Sequence, residues 1–104
     1  MFARNVSIRL QPNKLTEFTQ TFETQVLPML RKQPGFRDEI TFAYEGDTEV
    51  TAISLWDSKE QAETYNTNGY PQALRSLDKI LDGAPKVRVS TAHSTYHNIS
   101  KMAA

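Results

Sequence analysis

Residues 49–70, EVTAISLWDSKEQAETYNTNGY, change from a strand pattern to a helix pattern without a linker between them. The strand half places large apolar side chains on both faces and ends in the only tryptophan of the chain. These apolar residues are Val50, Ile53, Leu55 and Trp56. The helix has two candidate N-caps, Asp57 and Ser58, because each is followed three positions later by Glu or Gln, as in a capping box. We therefore expect a central strand, and both of its faces need cover.

The remaining strand patterns lie on either side of this stretch. Each is a run in which apolar and polar residues alternate, as expected when one face of a strand is buried. A turn at Gly46 separates two of these runs, which predicts an antiparallel hairpin. The predicted strands cover residues 4–10, 36–45, 49–56 and 87–96.

Two helical regions fill the gaps between these strands. The first has an apolar stripe at spacings of three and four, with Asn13 as the expected N-cap. Pro28 lies inside this stripe, so we expect a bend there and not an end. The second region is interrupted at Gly69 and resumes with Pro71 in its first turn.

The order β-α-β-β-α-β is the split βαβ arrangement of an α+β, ferredoxin-like fold. It predicts a four-stranded antiparallel sheet with both helices on one face. The uncovered face is expected to be apolar, because Ile53 and Leu55 point away from Trp56, and residues 6, 8 and 10 could join them. An apolar patch of roughly several hundred Å² is uncommon on a monomer. We therefore expect a homodimer formed through the open sheet face.

Composition limits the classes of protein to consider. At 104 residues the chain predicts a single domain over residues 1–104, with an ordered core over about 4–98 and a tail over 99–104. Twelve basic and twelve acidic residues give a net charge of +0, so we expect neither nucleic acid nor a membrane as partner. The absence of cysteine and of a secretory or membrane-spanning apolar run favours a cytoplasmic protein.

Two segments, LPMLRKQPGF at residues 27–36 and ISLWDSKEQAETY at residues 53–65, resemble the antibiotic biosynthesis monooxygenase-like (ABM) family of dimeric α+β barrels. The most specific parts are the Pro-Gly-Phe that enters the second strand and the Trp-Asp-Ser-Lys-Glu corner. Relatives in this family include cofactor-free oxygenases acting on aromatic polyketides, haem-degrading enzymes, and members with no known reaction. The resemblance implies a ligand cavity between the helices and the sheet, with the broken second helix as its rim.

The resemblance also allows the haem-degrading branch to be compared residue by residue. That branch uses an asparagine on the first strand, a tryptophan ending the third strand, and an iron-binding histidine about ten residues later. Asn5 and Trp56 are similar to the first two, although Ser7 would serve equally after a shift of two residues. The third position falls near Tyr65, where the sequence has no histidine. The resemblance therefore favours a reaction without a haem, metal or other cofactor.

Four residues are the candidate site, each with a plain structural alternative. Trp56 could stack on a flat aromatic ligand, or it could be a core anchor beneath the second helix. Tyr65 and Tyr70 flank the helix break and could donate hydrogen bonds to a substrate oxygen, or simply pack. Asn5, which shares a strand face with Arg9, could fix a substrate enolate, or both could be solvated.

The two histidines, His93 and His97, are four positions apart on a predicted strand, about 13 Å at 3.3 Å per residue, which is too far for one zinc ion. Either could act as a general base or lie at the surface. Phosphate loops, nucleophile elbows and acidic metal cages are missing from the sequence. We predict a cofactor-independent monooxygenase-like protein acting on an aromatic or polyketide-like small molecule. The alternative is a non-catalytic ligand-binding or structural dimer module.

Overall fold

A four-stranded antiparallel sheet forms one layer of the protein in a computed structural model that describes residues 1–44, 46 and 48–93. The strands lie in the order β2-β3-β1-β4, so β3 is central, as predicted, and β2 and β3 form the predicted hairpin. Strand β1 pairs with β3 on one side and β4 on the other. The strands are β1 (Phe2–Arg9), β2 (Phe36–Ala43), β3 (Glu49–Trp56) and β4 (Lys86–Thr91).

Two helical regions pack on one face of this sheet and supply the second layer. Each is divided, the first by a π-helical turn over Phe22–Val26 and the second at Gly69. The helices are α1 (Leu15–Thr21), α2 (Leu27–Arg31), α3 (Lys59–Asn68) and α4 (Tyr70–Leu77). The α+β ferredoxin-like arrangement is therefore confirmed. None of these helices is long and apolar enough to cross a membrane.

The first helical region continues through Pro28, as expected from its apolar stripe. The π-helical turn comes directly before the segment that carries this proline. Proline has no N–H and its ring crowds the carbonyl four residues earlier, so a wider turn at this place removes a conflict. The predicted N-cap is wrong, because Lys14 holds that position and Asn13 adopts a left-handed φ of 62°.

The second helical region begins where the sequence places it. Ser58 is the N-cap of α3, and its Oγ accepts a hydrogen bond from the Gln61 amide at 3.2 Å. The helix then ends at the Asn68–Gly69 junction, and Pro71 lies in the first turn of α4. The two predicted N-caps are thus resolved in favour of Ser58.

Alternation along β1 decides which residues face the helices. Val6 pairs with Ala52 and Ile8 with Val50, and paired residues point to the same side of a sheet. Val6, Ile8 and Leu10 are therefore buried under the helices. The expectation that residues 6, 8 and 10 could join the open face is wrong.

The open face is apolar on one half only. Ile40 and Ile53 pair across β2 and β3, and Leu55 and the half-exposed Phe42 lie beside them. The half formed by β1 and β4 is polar. Its polar side chains are Asn5, Ser7, Arg9, Lys86, Arg88 and Ser90, and Ala3 lies on the same half.

Candidate functional site

Trp56 is the centre of an aromatic cluster at the end of β3. Its side chain is 0% exposed, stacks on Tyr65 at a centroid distance of 5.0 Å, and meets Phe36 edge-on at 5.6 Å. The indole Nε1 donates a hydrogen bond to Ser54 Oγ at 2.9 Å. The indole N–H is therefore satisfied inside the protein, and the ring anchors α3 to the sheet.

A cavity of about 40 Å³ lies beside this cluster, between the sheet and the helices. Most of its wall is aliphatic. A polar row crosses its floor, because Glu39 and Arg4 both pair with Ser54 across the sheet. Tyr65 and Tyr70 complete the polar part of the lining. The apolar lining comes from Val6, Ile8, Phe22, Val26, Leu30, Ala52, Ala73, Leu74, Leu77, Leu81 and Pro85.

Arg4 and Glu39 line the cavity but were not among the residues predicted for the site. Only 2% of Arg4 is exposed, and its guanidinium carbon lies 5.0 Å from the centre of the Tyr65 ring and 4.5 Å from that of Tyr70. Its Nη2 donates a hydrogen bond to Asn66 Oδ1 at 2.8 Å. The signal was present, because Arg4 is in phase with Phe2 and Val6 on the buried side of an alternating strand.

Burial controls the ionisation of these groups. Burial raises the pKa of Tyr65 to about 12, although the nearby Arg4 cation opposes the shift. Burial also raises the pKa of Tyr70, again against Arg4. Both phenols therefore stay protonated at neutral pH and can donate hydrogen bonds. The pKa of Glu39 is raised by burial too, while a 2.7 Å hydrogen bond from Thr41 Oγ1 to Glu39 Oε2 limits the rise.

The structure brings together some of the predicted site residues and separates others. Tyr65 and Tyr70 both line the cavity, with ring centroids 6.2 Å apart. Trp56 contacts Tyr65 but does not line the cavity itself. Asn5 lies on the open side of the sheet, away from this cavity, and Arg9 is exposed there in an ion pair with Glu49.

His93 is not among the residues that line this cavity. His93 follows β4 and is exposed, and His97 lies outside the described residues. Among residues 1–44, 46 and 48–93, no group of three or more His, Cys, Asp or Glu side chains could hold a metal ion. The described lining of the cavity also contains no histidine that could bind a haem iron.

Solved structures with the same fold include two Streptomyces enzymes. SnoaB of Streptomyces nogalater, a cofactor-independent oxygenase, has a TM-score of 0.76 and 15% identity over 92% of this chain and 96% of its own. A monooxygenase of Streptomyces coelicolor, solved with nanaomycin D, has a TM-score of 0.75 and 20% identity over 91% of this chain and 89% of its own. At these identities the likeness shows the fold alone.

A third structure of the same fold has no known function. It is a protein of Nitrosomonas europaea with a TM-score of 0.77 and 10% identity over 91% of each chain. The search of curated proteins found no significant match. The family model described as antibiotic biosynthesis monooxygenase matches residues 1–76, from β1 to near the end of α4. The chain therefore belongs to the antibiotic biosynthesis monooxygenase family.

Proposed function

We propose that this protein is a cofactor-independent oxygenase acting on an aromatic or polyketide-like small molecule. The observation that carries the proposal is the polar end of the cavity, where Tyr65, Tyr70 and Arg4 meet, within a wall that is apolar apart from Glu39 and Ser54. Hydrogen-bond donors and a positive charge in a water-poor site stabilise an oxyanion, which is the species that such an oxygenase forms. Family membership and the solved cofactor-independent relative support the same reaction class.

An anthrone illustrates the chemistry, because its ring CH₂ becomes acidic once the neighbouring carbonyl can hold negative charge. The enolate gives electrons to O₂, and one oxygen atom forms a bond to the ring carbon. The O–O bond then breaks, so that this atom becomes a carbonyl oxygen and the other leaves as water with the two hydrogens of the CH₂ group. The substrate is oxidised by four electrons and O₂ is reduced by four, so no external reductant is needed.

Three of the four predicted residues, Tyr65, Tyr70 and Trp56, have a role in this proposal. Tyr65 and Tyr70 donate hydrogen bonds to the substrate oxygen, since burial keeps both phenols protonated. Trp56 is a positioning residue, because it stacks on Tyr65 and does not line the cavity. Asn5 has no role at this cavity, from which the sheet separates it.

The size of the cavity favours a second candidate function. Cavities that bind benzene are about 150 Å³, whereas this one is about 40 Å³. A substrate therefore enters only if part of the wall moves, and Tyr70 at the start of α4 is half-buried beside the Gly69 junction. If the wall stays closed, the protein is a binding or structural module whose core is filled by its own side chains.

Oxygen consumption separates these two functions. We expect uptake above the buffer rate with an anthrone, and a loss of at least about tenfold in a Tyr65→Phe, Tyr70→Phe double variant that lacks both donors. Tyr44→Phe is the matched control, because Tyr44 is 73% exposed and outside the cavity. If the wild-type protein and an anthrone consume oxygen no faster than buffer does, the function is that of the non-catalytic module.

We also propose that the protein forms a homodimer through the apolar half of the open sheet face. Ile40, Phe42, Ile53 and Leu55 form a continuous patch across β2 and β3 that none of the described helices covers. Phe42 is 52% exposed, which is uncommon for a large apolar side chain beside others. A second copy of the chain would bury this patch by pairing it with the same patch.

A further inference from the structure

We infer that Arg4 is the anion-binding residue of the cavity, and that its ligand is an acidic phenol or enol that gives its proton to Glu39. The inference rests on the proposed function for the reaction that follows. It concerns binding and proton transfer only, so it can be tested without oxygen.

Arg4 is a buried cation that has only neutral partners. Its contacts are the Asn66 amide oxygen and the faces of Tyr65 and Tyr70. Among the residues that the structure describes, no carboxylate lies within ion-pair distance of it. A buried charge without an opposite charge is costly, and an anionic ligand would supply what is missing.

Arg4 also has guanidinium N–H groups that make no hydrogen bond with the described residues. A guanidinium group carries five N–H donors, and the hydrogen bond to Asn66 uses only Nη2. No fully buried side-chain nitrogen or oxygen among the described residues lacks a partner. The Nε and Nη1 groups must therefore keep access to open space. Arg4 lines both the cavity and a groove of about 240 Å³ between α3 and β4, so that space is where a ligand would lie.

Glu39 is placed to accept the proton. It lines the same cavity, and it lies in the same row as Arg4 with Ser54 between them. At about 4.8 Å per strand, the two backbones are about 10 Å apart. The cavity between them is about 40 Å³, so this ligand, like the proposed substrate, enters only if part of the wall moves. Burial raises the pKa of this carboxyl, which makes its ionised form a better base.

Proton transfer between these groups keeps the charge of the site constant. The O–H bond of the neutral ligand breaks, its electron pair stays on the ligand oxygen, and the proton forms a bond to a Glu39 oxygen. The half-buried carboxylate becomes a neutral acid, and the new anion lies beside the Arg4 guanidinium. A ligand without an acidic hydroxyl cannot make this exchange, so the site selects acidic phenols and enols.

The test uses para-nitrophenol, whose phenolate has its own visible absorption band, and para-nitroanisole as the non-acidic analogue. Anaerobic titration is carried out below the pKa of the free phenol. We expect the wild-type protein to increase the phenolate band and to bind the phenol at least about tenfold more tightly than the anisole, as one charge-assisted hydrogen bond allows. Equal binding of the two compounds, or binding of neither, would overturn the inference.

Variants of Arg4 and Glu39 test separately which residue binds the anion and which accepts the proton. Arg4→Met should lose the phenolate band and the preference for the phenol, while Arg9→Met, an exposed arginine on the other face, should keep both. Glu39→Gln should keep the preference but form less phenolate below the pKa of the free phenol. If Arg4→Met does not fold, Arg4→Gln is measured in its place, since it also removes the positive charge and should also lose the phenolate band. A phenolate band unchanged in the Arg4 variant would contradict the inference.

These outcomes are independent of the oxygenase proposal. A protein that binds phenolate at Arg4 but consumes no oxygen would refute the proposed reaction alone. A protein that consumes oxygen but binds the phenol and the anisole equally would refute the role of Arg4 alone.

Discussion

Tyr65 links the aromatic cluster to the cavity, because its ring contacts both Trp56 and Arg4. Its ionisation is therefore coupled to folding. The folded pKa of about 12 lies above the ordinary value of 10.0, so stability is full below pH 10 and falls as the pH rises towards 12. We expect urea midpoints of the wild-type protein to fall over this range, and those of Tyr65→Phe to fall less.

The control for this pH series is Tyr44→Phe, since Tyr44 is 73% exposed. Its urea midpoint should fall with rising pH as steeply as that of the wild-type protein. A Tyr65→Phe variant whose midpoint falls as steeply as that of the wild type would show that another group causes the loss.

Glu39 gives a second prediction at the residue scale, and here stability is compared between acid and neutral pH and not at alkaline pH. Its pKa is raised by burial, so its ionised form destabilises the folded state as the pH rises above the ordinary carboxyl range. Glu39→Gln should therefore raise the urea midpoint at neutral pH, and the difference should shrink in acid, where both side chains are neutral. Glu63→Gln, an exposed carboxylate on α3, is the matched control and should change little. A Glu39→Gln midpoint below that of the wild type at neutral pH would contradict this.

Single residues also show which parts of the site a sequence can reveal. Tyr65 and Tyr70 were predicted because they flank a visible helix break. Arg4 and Glu39 were missed because charged residues are expected at the surface, although the alternation of β1 placed Arg4 among buried positions. The same alternation places Asn5 on the opposite face, so its predicted role at the cavity has no geometric support.

At the scale of elements, the junction between α3 and α4 is held by close packing. A Cβ atom added to Gly69 would lie 2.6 Å from Tyr65 Cδ1 and 2.8 Å from Cε1. Gly69→Ala should therefore move the Tyr65 ring and cost about 1–3 kcal/mol, the usual range for overpacking. Near-ultraviolet circular dichroism should change, since it reports the packing of the aromatic cluster.

Gly83→Ala is the control for this substitution. Gly83 has a positive φ of 84° but open space around it, so alanine there is strained without touching an aromatic ring. It should lower stability while leaving the near-ultraviolet spectrum intact. An unchanged spectrum in Gly69→Ala would refute the packing argument.

Elements were predictable where local chemistry decides them. The hairpin, the Ser58 capping option and the break at Gly69 each follow from a short run of residues. The N-cap at Asn13 was wrong, because asparagine also tolerates the left-handed conformation that it adopts here. The predicted last strand covers residues 87–96, whereas β4 is Lys86–Thr91 and residues 94–96 lie outside the described residues.

At the scale of the whole molecule, the open sheet face decides how the chain assembles. If the patch on β2 and β3 is an interface, the mass in solution at micromolar concentration should be twice the chain mass of 11.8 kDa. Ile53→Asp should yield a monomer by light scattering, because it puts a charge in the middle of the buried patch. Gln25→Asp, on an exposed helical position, should remain dimeric.

A wild-type protein that is monomeric under these conditions would refute the dimer.

The sequence predicted the fold but overestimated the apolar area of the open sheet face, since only tertiary pairing shows that Val6 and Ile8 lie under the helices. The single domain over residues 1–104 and the cytoplasmic location stay predictions.

The π-helical turn over Phe22–Val26 has a consequence for how the first helical region can vary in length. Such a turn holds one residue more than an α-helical turn, and each α-helical residue rotates the chain by about 100°. Deleting one residue there would restore a regular helix and leave Phe18 and Leu30 11 positions apart, which is about three full turns at about 100° per residue, so the two ends would keep the same face. Phe18 before the turn and Leu30 after it are both buried now. A chain shortened by one position in this region would therefore keep both side chains in the core, whereas the present chain needs the wider turn to do so.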